Sequence, residues 1–104
     1  MIVKLGGDIY KVTFAHIKPR PGQGQYKMVT MCNLWRHNER WHFALGESEW
    51  TNLNYGMAKC GLRDNFCKET GRKIALTRAL RFFEDKEIRT AIWDAYFKRD
   101  NRKV

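Results

Sequence analysis

The stretch NFCKETGRKIALTRALRFF, residues 65–83, contains no proline and one glycine, Gly71, and its apolar residues recur at helical spacing. Set at about 100° per residue, Ala75, Leu76, Ala79, Leu80, Phe82 and Phe83 cover one arc, while Lys73, Thr77, Arg78 and Arg81 lie on the other. This is the pattern of an amphipathic helix with a basic outer face. Asp64, just ahead of it, has the side chain of an N-cap. A second helical pattern runs over 86–98, with Ile88, Ala91, Ile92, Ala95 and Tyr96 along one stripe. Glu84, Asp85 and Glu87 supply the acids that favour its first turn.

Upstream of Gly61 the period changes to two. Residues 9–17 are rich in β-branched and aromatic side chains and put Tyr10, Val12, Phe14 and His16 on one face of a strand. The following KPRPGQG, residues 18–24, has the proline and glycine content of a loop. Residues 25–36 alternate again, with Tyr26, Met28, Thr30, Cys32 and Leu34 on one face and Val29, Met31 and Trp35 on the other. Apolar side chains on both faces predict a central strand, paired on each side and covered at least partly on both. The polar connector 37–40 leads to WHFAL, residues 41–45, which reads as the returning strand of a hairpin closed by Gly46. GESEWTNLNYG, residues 46–56, reads as a loop that packs Trp50, Leu53 and Tyr55 downward, and 57–60 as a short last strand. Residues 99–104 read as a frayed tail. Strands first and helices last, without alternation, predict one α+β domain over 1–104. In it a small antiparallel sheet of three to four strands, within 1–60, packs against two C-terminal helices within 61–98.

At 104 residues and 43% hydrophobic content, the chain is the size of one domain and has enough large side chains for a core. Twenty Lys and Arg against eleven Asp and Glu give a formal charge of +9, whose field attracts phosphate backbones and acidic protein surfaces alike. Lys4, Asp8 and Lys11 interrupt the apolar N-terminus before a signal-peptide core can form, and no run of about 18 apolar residues occurs, so neither a signal peptide nor a membrane span is expected. An odd, sparse set of cysteines, Cys32, Cys60 and Cys67, fits a reducing compartment, the cytoplasm.

The three cysteines together with His16, His37 and His42 suggest zinc ligation, but six residues separate Cys60 from Cys67 and no second pair accompanies them. No metal or other cofactor is expected, and Cys67 reads as a small buried residue in the first helical turn. No nucleophile elbow, phosphate-binding glycine loop or His-Glu-x-x-His is present, and the carboxylates sit in a loop or at helix ends. The chain does not read as an enzyme.

The segment CGLRDNFCKETGRKIALTRAL, residues 60–80, resembles a pattern found in small bacteriophage accessory proteins: an Asp before a Phe, then Gly-Arg-Lys, Ala-Leu and Arg-Ala-Leu. It covers about a fifth of the chain. The resemblance implies a phage origin and a protein that binds and disables or redirects a host component. It carries over no catalytic residue.

Binding residues are expected on the basic helix, where Lys68, Arg72, Lys73, Arg78 and Arg81 face a single acid, Glu69. The loop residues Arg20 and Lys27 add charge, and Trp35 or Trp41 could stack on bases; the same charges also suit a solvated face. Arg72 falls within the apolar arc directly after Gly71, which predicts a structural role in which its guanidinium reaches a carbonyl or carboxylate inside the fold. Trp93 and Phe97, four apart and off the main stripe, form either core or an uncovered docking patch. The expectation is a non-enzymatic cytoplasmic binding protein. Its partner would be an acidic surface of a host nucleic-acid-handling or anti-phage defence assembly, with direct DNA or RNA binding as the alternative and homo-oligomerisation left open.

Overall fold

The alternating segments pair in chain order. In a computed structural model that describes residues 1–20, 26–37, 49–62 and 65–100, four strands form an antiparallel sheet. They are β1 (Ile2–Leu5), β2 (Asp8–Ile17), β3 (Tyr26–His37) and β4 (Trp50–Gly61), followed by helices α1 (Lys68–Leu80) and α2 (Lys86–Asp100). The fold is α+β, as the order of periodicities predicts.

β1 was not foreseen. It pairs with β2 through a two-residue turn, Gly6-Gly7, in which Gly6 adopts φ 61°, a conformation that suits the right-handed twist of a hairpin and favours glycine. The larger correction is β4. The segment read as a loop from 46 to 56 is, from Trp50 onward, part of one twelve-residue strand, and it is this strand that pairs with β3. Asn52, Asn54 and Gly56 are poor strand formers, so these residues pointed elsewhere, but pairing along the whole of β3 overrides them. The strand expected over 41–45 lies outside the described residues, as do Asp64 and the tail 101–104.

α1 starts three residues later and ends three earlier than predicted. Its N-cap is Cys67, in extended conformation, and Cys67 is exposed instead of buried. The chain leaves the helix at Arg81 and Phe82, which leaves Phe82 half-exposed where a continuing helix would have turned it inward. α2 is capped by Asp85, whose carboxylate accepts the Glu87 N–H at 2.8 Å. The helix extends through Arg99 and Asp100, past the predicted end.

Both helices lie on one face of the sheet, α1 over β3 and β4 and α2 against β1. The core between the layers contains Val3, Tyr10, Val12, Cys32, Leu34 and Ala58 from the sheet, and Ala75, Leu76, Ala79, Leu80, Ile92 and Tyr96 from the helices. Gly56 and Gly71 set the close approach of α1. A Cβ on Gly56 would run into the backbone of Ala75 and Ala79, and one on Gly71 would lie 2.5 Å from Thr30 Oγ1. Arg72 is tucked beside α2, donating to Glu69 Oε2 at 2.8 Å and lying 3.5 Å from the Tyr96 hydroxyl.

Candidate nucleic-acid interface

Because side chains alternate along a strand, placing Tyr10, Val12, Thr30, Cys32, Leu34 and Ala58 under the helices sends their neighbours to the opposite face. Cross-strand register then assembles that face in rows: Ile2, Lys11, Trp35 and Asn52; Thr13, Asn33 and Tyr55; Ala15, Met31 and Met57; Ile17, Val29 and Lys59. Lys4 lies beside Ile9 at one margin, and His37 pairs with Trp50 at the far end of β3. A register shift at Leu34/Trp35 keeps Asn52 in phase with this face, while Asn54 turns to the helices and donates to the Ala79 carbonyl at 3.0 Å.

The face joins aromatic rings to cations. Lys11 Nζ sits 4.5 Å from the Trp50 ring centroid and 5.3 Å from that of Trp35, while the Trp35 indole N–H donates to Thr13 Oγ1 at 3.1 Å. Lys59 Nζ lies 5.1 Å from the Tyr26 centroid. Tyr55 is 55% exposed and Ile17 47%. A carboxylate, Glu49, lies at the rim beside Trp50, 3.2 Å from His37 Nε2.

The cations expected to act together on the helix are distributed differently. Lys68 and Arg81 stand exposed at opposite ends of α1. Lys73 is 3.5 Å from Glu69 and 5.8 Å from the Phe97 centroid, and Arg78 donates to the Met57 carbonyl at 2.6 Å, bridging α1 to β4. Arg20, just past the end of β2, and Lys27, at the start of β3, are exposed at the end of the sheet that carries Lys59. Trp93 is half-buried against Tyr96 and stacks on Phe97, which is 51% exposed, so the pair is part core and part surface. Sequence reasoning named Trp35 but missed Lys11, Trp50, Tyr55 and Lys59. The signal was the period-two run Tyr55, Met57, Lys59, which is visible once 50–61 is read as a strand.

On the helix side, a cavity of about 270 Å³ opens between β3, β4 and the start of α1, lined among others by Thr30, Cys60, Phe66, Cys67 and Gly71. His16 Nδ1 and Thr30 Oγ1 share a hydrogen bond of 2.9 Å nearby, and burial, helped by Arg72 and Lys68, lowers the His16 pKa. Hydrogen bonds from the Thr70 side chain and backbone hold the Cys67 thiol below its ordinary value, whereas burial pushes Cys32 up to about 12. Thiolate is the reactive form. Iodoacetamide at pH 8 is therefore expected to alkylate Cys67 ahead of the other thiols and to reach Cys32 only after unfolding; rapid native-state labelling of Cys32, read by peptide mass spectrometry, would contradict the packing. No group of three or more potential metal ligands occurs among the described residues.

No protein-family model, curated protein or solved structure matches the chain. Its class is that of α+β domains in which a four-stranded antiparallel meander carries two helices on one face. Among the described residues no helix is long and apolar enough to cross a membrane.

Proposed function

We propose that this chain is a non-enzymatic binding protein whose partner is nucleic acid. The observation that supports this most directly is the sheet face on which Trp35, Trp50 and Tyr55 stand among Lys4, Lys11 and Lys59, in a chain of net charge +9. Aromatic rings stack on bases of any sequence, and lysines neutralise phosphates. In keeping with the resemblance of residues 60–80, the proposed setting is a phage accessory role in the cytoplasm of a host cell. A second reading, an acidic surface on a host nucleic-acid-handling or defence assembly, is supported by exposed Phe97 stacked on Trp93 beside Lys73.

Anisotropy titrations with random-sequence DNA and RNA between about 50 and 200 mM salt test the first reading. About five phosphate contacts predict a loss of affinity of roughly five-hundredfold for a duplex and roughly a hundredfold for a single strand across that range. If the protein binds no nucleic acid at the lowest salt, the first reading fails and the second takes its place.

A further inference from the structure

Resting on the nucleic-acid reading, we propose that the open face of the sheet is a single-strand platform. Bases stack on Tyr55 and at the Trp35/Trp50 end, and phosphates are met by Lys11 and Lys59. The middle of the face decides between strand forms. Between the two lysines lie Ala15, Met31, Met57, Val29 and the exposed Tyr55 ring, with Asn33 directly opposite Tyr55. A duplex presents phosphates and groove edges to a flat surface, and these apolar groups would strip water from the phosphates without replacing it by a polar partner. A single strand presents base faces, for which methionine, valine and tyrosine are suitable neighbours.

The spacing agrees. Lys59 is four residues beyond Tyr55 on β4, about 13 Å at the rise of an extended strand, and the twelve residues of β3 span roughly 40 Å, room for several nucleotides. Charge is placed to match, with cations at both ends of the face and the carboxylate Glu49 held at the rim by His37. On the helix side, by contrast, Arg78 is tied to a backbone carbonyl and Lys73 to Glu69, so fewer cations there are free to meet phosphate.

The test uses the full chain and fluorescein-labelled oligonucleotides of about twelve residues, an oligothymidylate, an oligouridylate and a mixed-sequence duplex, within the site sizes that such surfaces cover. Both single strands should bind more tightly than the duplex. Tyr55→Ala should weaken single-strand binding about tenfold, the loss expected for one stacked base, while Tyr55→Phe stays within about twofold of wild type. Lys59→Glu should weaken binding and flatten its salt dependence, whereas Lys98→Glu, the same charge change on α2, should not. Circular dichroism checks that each variant is folded.

Tighter duplex binding, or equal losses in Tyr55→Phe and Tyr55→Ala, would overturn the stacking platform. So would unchanged binding in Tyr55→Ala and Lys59→Glu alongside its loss in Arg81→Glu, which would leave nucleic acid as the partner but move the site to α1. If none of the three probes binds, the platform and the reading beneath it fall together.

Discussion

Replacing Gly56 with valine is expected to destabilise the fold by about 3 kcal/mol or more. Gly56 lies on β4 opposite Cys32, on the face that carries α1, and the space for a Cβ is already filled by the Ala75 carbonyl and the Ala79 and Arg78 backbone. Overpacked side chains usually cost about 1–3 kcal/mol because a neighbour can rotate aside, but a helix backbone cannot, so this site belongs at or beyond the upper end. Relief requires α1 to lift from the sheet. That would break the Asn54 bond to Ala79 and the Arg78 bond to Met57, and would loosen Ala75, Leu76 and Ala79, which are fully buried. Gly7, with nothing within 4 Å of its Cβ position, is the matched control, and its alanine variant should change stability by less than about 0.5 kcal/mol. Urea denaturation followed by tryptophan fluorescence measures both. A wild-type midpoint for Gly56→Val would mean that α1 does not sit on β4 as described.

Tyr96→Ala is expected to cost about 3–5 kcal/mol, the range for removing a large aromatic from a core. Tyr96 is 0% exposed and its ring meets Phe14, Trp93 and Phe97 edge-on, at centroid distances of 5.9, 5.8 and 5.6 Å. Tyr96→Phe keeps the ring and removes only the hydroxyl between Arg72 and Glu69, and should cost about 1–2 kcal/mol because these partners retain each other at 2.8 Å. The hydrogen bond from Arg72, with smaller help from Tyr96 and Lys73, holds the Glu69 carboxyl below its ordinary value of 4.5. A depressed carboxylate stabilises the fold above that value and loses its contribution as pH falls through the lowered one. The gap between Tyr96→Phe and wild type should therefore narrow in acid. A gap that is constant from pH 7 to about 3 would detach the hydroxyl from Glu69.

The two kinds of periodicity in this chain were readable at once, because each is a local property. Apolar positions at helical spacing in 65–83 and 86–98, and alternation in 9–17 and 25–36, report a face that must be buried whatever it is buried against. The α+β class, the inward face of β2 and the central position of β3 all follow from that. The placement of Arg72 in an apolar arc also marked it as a group needing partners, although not which ones: Glu69 lies one turn away, but Tyr96 comes from the other helix.

Other features depended on partners distant in the chain. Asn52, Asn54 and Gly56 disfavour a strand locally and mask the preference of Trp50, Thr51 and Tyr55, and the segment extends because β3 offers a ladder on one side and α1 needs a glycine to approach. The short β1 gains its order from pairing with β2 and from burying Val3 under the helices, with α2 against the strand. The candidate interface is of the same kind. Lys11, Trp35 and Trp50 lie far apart in sequence and meet because two antiparallel registers place Lys11 and Trp35 in one row and Trp50 in the next, so their joint chemistry exists only once the sheet has formed. Charge alone pointed to the helix, since clustered lysines and arginines are visible in a linear string. Packing then engaged part of that cluster internally and left the aromatic face of the sheet open, because a single layer of two helices covers only one side of a four-stranded sheet.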